Sequence, residues 1–159
     1  MEILSNTHIK DNVTVTLTDT ITGKQRTFTA HNIALDYHFV ALSKWVSGLY
    51  ANVGYNNVPP PSQIEYGSGS GTPASTDTGN FTNISGSLTN LSYAQDNTPQ
   101  NGTTTLVFQT AAGVVTGQIT EAFLRDTSGN GFCHTLFGAP FTPSSTETIT
   151  TKWELTYSA

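Results

Sequence analysis

Alternating apolar and polar positions mark strands along much of the chain. The segment VTVTL places Val13, Val15 and Leu17 on one face and threonines on the other, which is the period-two pattern of a half-buried strand. The turn sequence DTITGK and the return segment QRTFTA follow, so the pattern predicts a β-hairpin that ends at Ala30. TTTLVFQT, residues 103–110, predicts a further strand.

The C-terminal part repeats this pattern. GQITEAFLRD alternates in the same way, and the turn DTSGNG connects it to FCHTLFG, which predicts a second hairpin. Shorter strands are predicted at 63–66 and 88–93. Strand signals about ten residues apart, separated by turns, predict a mainly β fold of β-sandwich or jelly-roll-like type. The last segment, STETITTKWELTYS, puts four apolar residues on one face: Ile149, Trp153, Leu155 and Tyr157.

One segment has a helical period instead. Apolar positions between Ile33 and Leu49 recur at spacings of three and four residues. Asn32 is a candidate N-cap, and Gly48 or Gly54 is a candidate stop. The pattern predicts one α-helix in the N-terminal half, over about residues 33–48.

Composition supports a single β-rich domain. The 159 residues fit one domain, and 28 of them are threonine, whose branched side chain favours strands. Residues 1–12 are polar and are predicted to form an N-terminal arm, with residues 13–159 as one β-sandwich domain. Only 11% of residues are charged, against about 25% in an average globular protein. Such a surface favours packing against neighbours, with a low-charge monomer as the alternative.

The charge distribution argues against two classes of partner. The formal net charge is −5, and no Lys or Arg occurs between Lys44 and Arg125. Because nucleic acids and anionic membranes are bound largely through cationic side chains, neither is an expected partner. The single cysteine, Cys133, excludes an internal disulfide.

The glycine-rich stretch IEYGSGSGTPASTDTG, residues 64–79, raises the question of a phosphate-binding loop. It has no lysine in the position that a Walker-type loop needs, and no helical pattern follows it as in a dinucleotide-binding fingerprint. We therefore expect a structural loop, in which glycines permit positive φ angles and close backbone approach as the chain leaves a strand.

Candidate catalytic and metal-binding residues are few. Cys133 and His134 are adjacent in a predicted strand, so their side chains point to opposite faces and cannot form a nucleophile–base pair. Cys133 is expected to fill the core. A metal site would have to draw on histidines without zinc-type spacing, so no metal and no cofactor are predicted. The four histidines are His8, His31, His38 and His134.

Carboxylates offer the remaining route to catalysis. Glu121 with Asp126, or Glu147 with Glu154, could in principle form a glycosidase pair. Carboxylates on a polar strand face are far commoner, so no catalytic residue is predicted and the chain is not expected to be an enzyme.

Aromatic and amide side chains near loops are candidates for contact with a neighbouring subunit or a glycan. Tyrosine offers a rigid apolar ring and one hydroxyl, which suits both kinds of site. The alternative is that these rings anchor loops to the core. The candidates are Tyr50, Tyr55, Asn56, Asn57, Tyr66 and Tyr93.

Several of these motifs occur together in an order that resembles virion structural proteins of tailed bacteriophages. The resemblance covers about four fifths of the chain, from Ala30 to Tyr157. It comprises a helix start, a glycine-rich loop, a strand and turn, an F-x-P segment and a final strand. The matching residues are Asn32, Ile33, Gly67, Gly69, Pro73, Asp77, Thr78, Ile119, Glu121, Leu124, Asp126, Gly129, Phe141, Pro143, Trp153 and Leu155.

The resemblance implies a non-enzymatic structural role. It points to a head decoration or cement protein, or another virion assembly protein, that is made in the bacterial cytoplasm and resides in the virion. Its implied partners are copies of itself, by analogy as a trimer, and capsid or tail subunits. The alternative is a receptor- or glycan-binding module of a tail or fibre. A hydrolase that uses His134 or Glu121 comes third.

Overall fold

The computed structural model describes residues 8–46, 59–98 and 102–158. Within these ranges the chain forms eight strands and one helix. Their bounds are β1 His8–Asp19, β2 Gln25–Ala34, α1 Asp36–Val46, β3 Gln63–Gly67, β4 Thr89–Thr98, β5 Thr103–Thr110, β6 Ile119–Arg125, β7 Gly131–Phe141 and β8 Glu147–Ser158.

The eight strands close into one antiparallel barrel in the order β1-β2-β7-β6-β3-β4-β5-β8. The long strand β8 completes the closure, because it pairs along its length with β1 on one side and β5 on the other. Two of the junctions are short, because β2 pairs with β7 only over Asn32–Ala34 and β3 pairs with β4 only over Gln63 and Ile64. The predicted mainly β fold is confirmed, but the strands form a closed barrel in place of the predicted sandwich or jelly roll.

The barrel interior is a packed core. Trp153 is fully buried, and Ile149 and Leu155 beside it are 1% and 2% exposed, as the predicted shared face of β8 requires. From the opposite wall, the Tyr66 hydroxyl reaches Thr151 Oγ1 at 2.6 Å, so side chains span the lumen. An eight-stranded barrel is just narrow enough to be filled in this way.

The predicted start of the helix, residue 33, is wrong by three residues. Asn32 and Ile33 belong to β2, because their backbone pairs with Thr135 and His134 of β7, and the helix begins only at Asp36. The predicted arm also overlaps β1, which begins at His8 and pairs with β8 from there.

Among the described residues, no helix is both long and apolar enough to cross a bilayer.

Strand β6 is buried on both faces, which its alternating sequence does not predict. Ala122 and Leu124 face the interior, where they join the core cluster. Glu121 and Phe123 face outwards but are 0% and 1% exposed. A loop over residues 68–82, here called the anchored loop, lies across this outer face and hydrogen bonds to Glu121. The barrel therefore carries a second buried layer on one side.

Candidate functional site

Glu121 is the hub of the outer buried layer. Its Oε1 accepts hydrogen bonds from the backbone N–H groups of Gly69 and Thr82, at 2.7 and 3.0 Å. Its Oε2 accepts one from Phe81 N–H at 3.0 Å and contacts His134 Nε2 at 2.9 Å. One fully buried carboxylate thus holds both ends of the anchored loop against the barrel wall.

His134 extends this arrangement to a second carboxylate. Its Nδ1 lies 2.6 Å from Asp77 Oδ2, and its ring packs between Phe81 and Phe123, with centroid distances of 4.8 and 5.6 Å. Each ring nitrogen of His134 therefore faces a carboxylate oxygen, Asp77 Oδ2 on one side and Glu121 Oε2 on the other. We call this arrangement the Asp77–His134–Glu121 row. It is a hydrogen-bonded clamp on the anchored loop.

The glycines of this region let the loop backbone lie close to neighbouring side chains, and they do not adopt positive φ angles. A Cβ atom on Gly69 would lie 2.5 Å from Glu121 Oε1, and one on Gly71 would lie 2.7 Å from the Phe81 ring. The positive-φ glycines, such as Gly129, lie outside the stretch 64–79. The predicted close approach is therefore confirmed, and the predicted positive φ is wrong for these positions. Because glycine has no side chain, these positions let the loop lie close against the barrel.

Replacement of Gly69 by alanine is expected to lower the free energy of unfolding by about 1–3 kcal/mol, because the added methyl group has no room beside Phe81 and Glu121. Gly79→Ala is the matched control in the same loop, since its Cβ would meet nothing within 4 Å; its effect should stay within about 0.5 kcal/mol. Urea unfolding of both variants measures the difference. Equal stabilities would contradict the close packing of the loop.

A groove of about 390 Å³ opens beside the row, between the start of α1, the anchored loop and the β6–β7 turn. Asp77 belongs both to its wall and to the row. We call it the α1 groove. Its lining residues are Leu35, Asp36, Tyr37, Ser75, Thr76, Asp77, Thr78, Gly129, Asn130 and Gly131.

A second polar cluster lies on the other face of β7, at the barrel interior. Cys133 Sγ is 3.0 Å from Asp11 Oδ2 and 3.6 Å from His38 Nδ1, and His38 Nε2 is 3.0 Å from the Tyr157 hydroxyl. Burial raises the pKa of Asp11 to about 6 and lowers that of His38 to about 4. Burial, with the Asp11 carboxylate, also raises the pKa of the Cys133 thiol.

This inner cluster lacks the features of a nucleophilic site. A reactive cysteine needs a lowered pKa and some exposure, whereas Cys133 is fully buried and its thiol is stabilised in the protonated form. Cys133 and His134 point to opposite faces of β7, since their contacts lie in the inner and outer layers respectively. The predicted core position of Cys133 is confirmed.

Two of the other candidate carboxylates, Glu147 and Asp126, are engaged in structural contacts. Glu147 forms a two-pronged ion pair with Arg26, at 2.9 and 2.6 Å. Asp126 organises the β6–β7 turn, where its Oδ1 accepts the N–H groups of Ser128 and Asn130 at 2.8 and 2.9 Å. The hydrogen bonds of these groups stabilise turns and strand ends.

The histidines do not assemble a metal site in the described part of the chain. His38 and His134 lie in separate layers, and His31 is an exposed residue of β2. The side chain of His8 is outside the described residues. Within the described ranges, no three His, Cys, Asp or Glu side chains are placed to hold a metal ion.

The structure describes two of the six predicted contact residues. Tyr93 is 44% exposed on β4, as a surface contact requires. Tyr66 is fully buried and bonded to Thr151, so it is a core residue and not a surface contact. The other four predicted contacts lie outside the described residues: Tyr50, Tyr55, Asn56 and Asn57.

Sequence reasoning missed how the candidate residues combine. Glu121, His134 and Asp77 each stood out singly, but nothing in their spacing joined them. For the inner cluster, the sequence offered one signal: Asp11 is a polar residue that shares the strand face of the apolar positions Val13 and Val15 of β1.

In comparisons with known proteins, no family model, no curated protein and no solved structure matches this chain.

Proposed function

We propose that this protein is a non-enzymatic structural subunit of a bacteriophage particle, most simply a head decoration or cement protein. It binds copies of itself and neighbouring capsid or tail subunits. The observation that carries the proposal is a group of large apolar side chains that remain exposed on the β2–α1 side of a closed barrel. Ile33, Phe39 and Val40 are 39%, 40% and 47% exposed.

Phe81 extends this group onto the anchored loop. Its ring packs on His134, and His134 is the cross-strand partner of Ile33, so Ile33 and Phe81 are both neighbours of the same imidazole. We call Ile33, Phe39, Val40 and Phe81 the apolar patch. Each of these four side chains is more than a third exposed, and exposed apolar side chains of this size are typical of protein–protein contact sites.

The clamp under the patch supports the same function. Glu121 holds three loop amides and His134, so the surface that carries Phe81 is fixed before any partner binds. A rigid surface loses little conformational entropy on association, and its apolar side chains then contribute directly to affinity.

Replacement of Ile33 and Val40 together by serine is expected to weaken self-association by about 100-fold or more. Each aliphatic side chain that is buried at the contact stabilises the oligomer by about 1.5–3 kcal/mol. Neither residue belongs to the core, so the fold should persist. Sedimentation velocity over a concentration series should show an oligomer, a trimer by our analogy, for the parent protein and a monomer for the variant.

Ile21→Ser is the control, since Ile21 is 79% exposed but lies at the β1–β2 turn, away from the patch. It should leave the oligomer unchanged. A parent protein that stays monomeric at all concentrations, or an oligomer that survives the patch substitutions and dissociates with Ile21→Ser, would contradict the proposed contact.

A further inference from the structure

We infer that the α1 groove is a binding site for a neutral saccharide. The inference does not depend on the proposed role in a particle, because it rests on the groove alone. The groove volume of about 390 Å³ lies at the lower end of the range for small-molecule sites, about 300–1,000 Å³, which suits one or two sugar rings.

The lining matches the hydrogen-bonding groups of a sugar. Asp36 and Asp77 offer carboxylate oxygens that accept from sugar hydroxyls, and Asn130 offers an amide that both donates and accepts. The described hydrogen bonds to Asp77, from Ala74 N–H and His134, both end on Oδ2 and leave Oδ1 for a ligand. Besides Tyr37, the lining contains three hydroxyl side chains that donate and accept: Ser75, Thr76 and Thr78.

The charge of the groove favours a neutral ligand. Its lining includes no lysine, arginine or histidine, so an anionic sugar or phosphate would meet two carboxylates without a cation. A cation is also a poor fit, because the described residues hold no group of three metal-ligating side chains.

The groove is held in shape before a ligand arrives. Asp36 N–H donates to Ser75 O at 2.8 Å, which joins α1 to the anchored loop. The Tyr37 hydroxyl and Asn130 Nδ2 both donate to Asp126 Oδ2, at 3.2 and 2.9 Å, which joins α1 to the β6–β7 turn. A fixed set of polar groups binds a sugar with less loss of entropy than mobile side chains would.

Saturation-transfer NMR and titration calorimetry test the inference with the methyl glycosides of glucose, galactose, mannose and N-acetylglucosamine as probes. At least one glycoside should bind, and Asp36→Ala and Thr76→Ala should each weaken it about tenfold. Both positions are exposed, so the fold should be retained, as circular dichroism would verify.

The matched control lies in a second depression of about 360 Å³, which is lined mainly by Gln109, Ala111 and threonines and contains neither a carboxylate nor an aromatic ring. Thr150→Ala there should not alter binding. Absence of binding by all four glycosides, or binding that is unchanged by the groove substitutions, would overturn the inference. Loss of self-association in the patch variant leaves it untouched, so failure of one proposal is distinguishable from failure of the other.

Discussion

Replacing Glu121 with glutamine is expected to lower the free energy of unfolding by about 3–5 kcal/mol, the cost of removing one partner from a buried charged network. The substitution keeps the size of the side chain. It replaces one acceptor oxygen with an N–H₂ group that faces the donors on Gly69 and Thr82 or on Phe81 and His134. Urea unfolding, followed by tryptophan fluorescence, measures the loss.

Glu154→Gln is the matched control, since Glu154 is a partly exposed residue of β8 and its replacement should cost less than about 0.5 kcal/mol. Hydrogen exchange separates the local effect from the global one. In the Glu121 variant, the amides of Gly69, Phe81 and Thr82 should exchange faster than interior amides of β8. A variant as stable as the parent would refute the clamp.

Asp11→Asn is expected to raise stability at pH 8 by about 3 kcal/mol and to have almost no effect near pH 4. Burial raises the pKa of Asp11 to about 6, from 3.8 in an unfolded chain, and each pKa unit corresponds to about 1.36 kcal/mol. The asparagine keeps an acceptor for the Cys133 thiol but carries no charge into the barrel. Unfolding titrations of both proteins between pH 4 and pH 8 measure the difference.

The sign follows from proton binding. Below pH 3.8 the folded and the unfolded parent both carry the Asp11 proton, so Asp11 does not lower the free energy of unfolding there. As pH rises to about 6, the unfolded chain has already lost the proton that the folded chain retains, and stability falls; above pH 6 the loss is complete. His38 titrates with the opposite sign, because burial lowers its pKa to about 4. It is present in both proteins and cancels in their difference.

Asp19→Asn provides a control of opposite sign. Hydrogen bonds, foremost from Thr22 N–H and also from Thr146 Oγ1 and Ile21 N–H, lower the pKa of Asp19 to about 2. Its replacement should therefore destabilise the protein at pH 8, by an amount that shrinks as pH falls towards 2. An Asp11 variant that is less stable than the parent at pH 8, or whose advantage does not change with pH, would contradict the buried charge.

Much of the fold was predictable because local patterns specify local pairings. The segment 103–110 forms β5 with the predicted bounds, and the first hairpin joins β1 and β2 as predicted, since period-two alternation and turn residues act within a few residues of each other. Barrel closure was not predictable. It depends on β8 pairing with both β1 and β5, and these non-local pairings leave no signal in either strand.

The same limit applies to the site. The helical period that begins at Ile33 is real, but pairing with β7 extends β2 to Ala34, so tertiary contacts override the local preference. Glu121 reads as a polar surface residue from its own strand, because the loop that buries it lies about forty to fifty residues earlier in the chain. Only the folded chain brings Asp77, His134 and Glu121 together.

Labelled electron microscopy tests the central claim most directly. Bacteriophage particles would be purified from cells that carry the gene for this chain and would be incubated with a gold-labelled antibody against the barrel. The account predicts label at regular, symmetry-related positions on intact heads or tails, and loss of that label when Ile33 and Val40 are replaced by serine. Chain found only in the particle-free soluble fraction, with unlabelled particles, would contradict it.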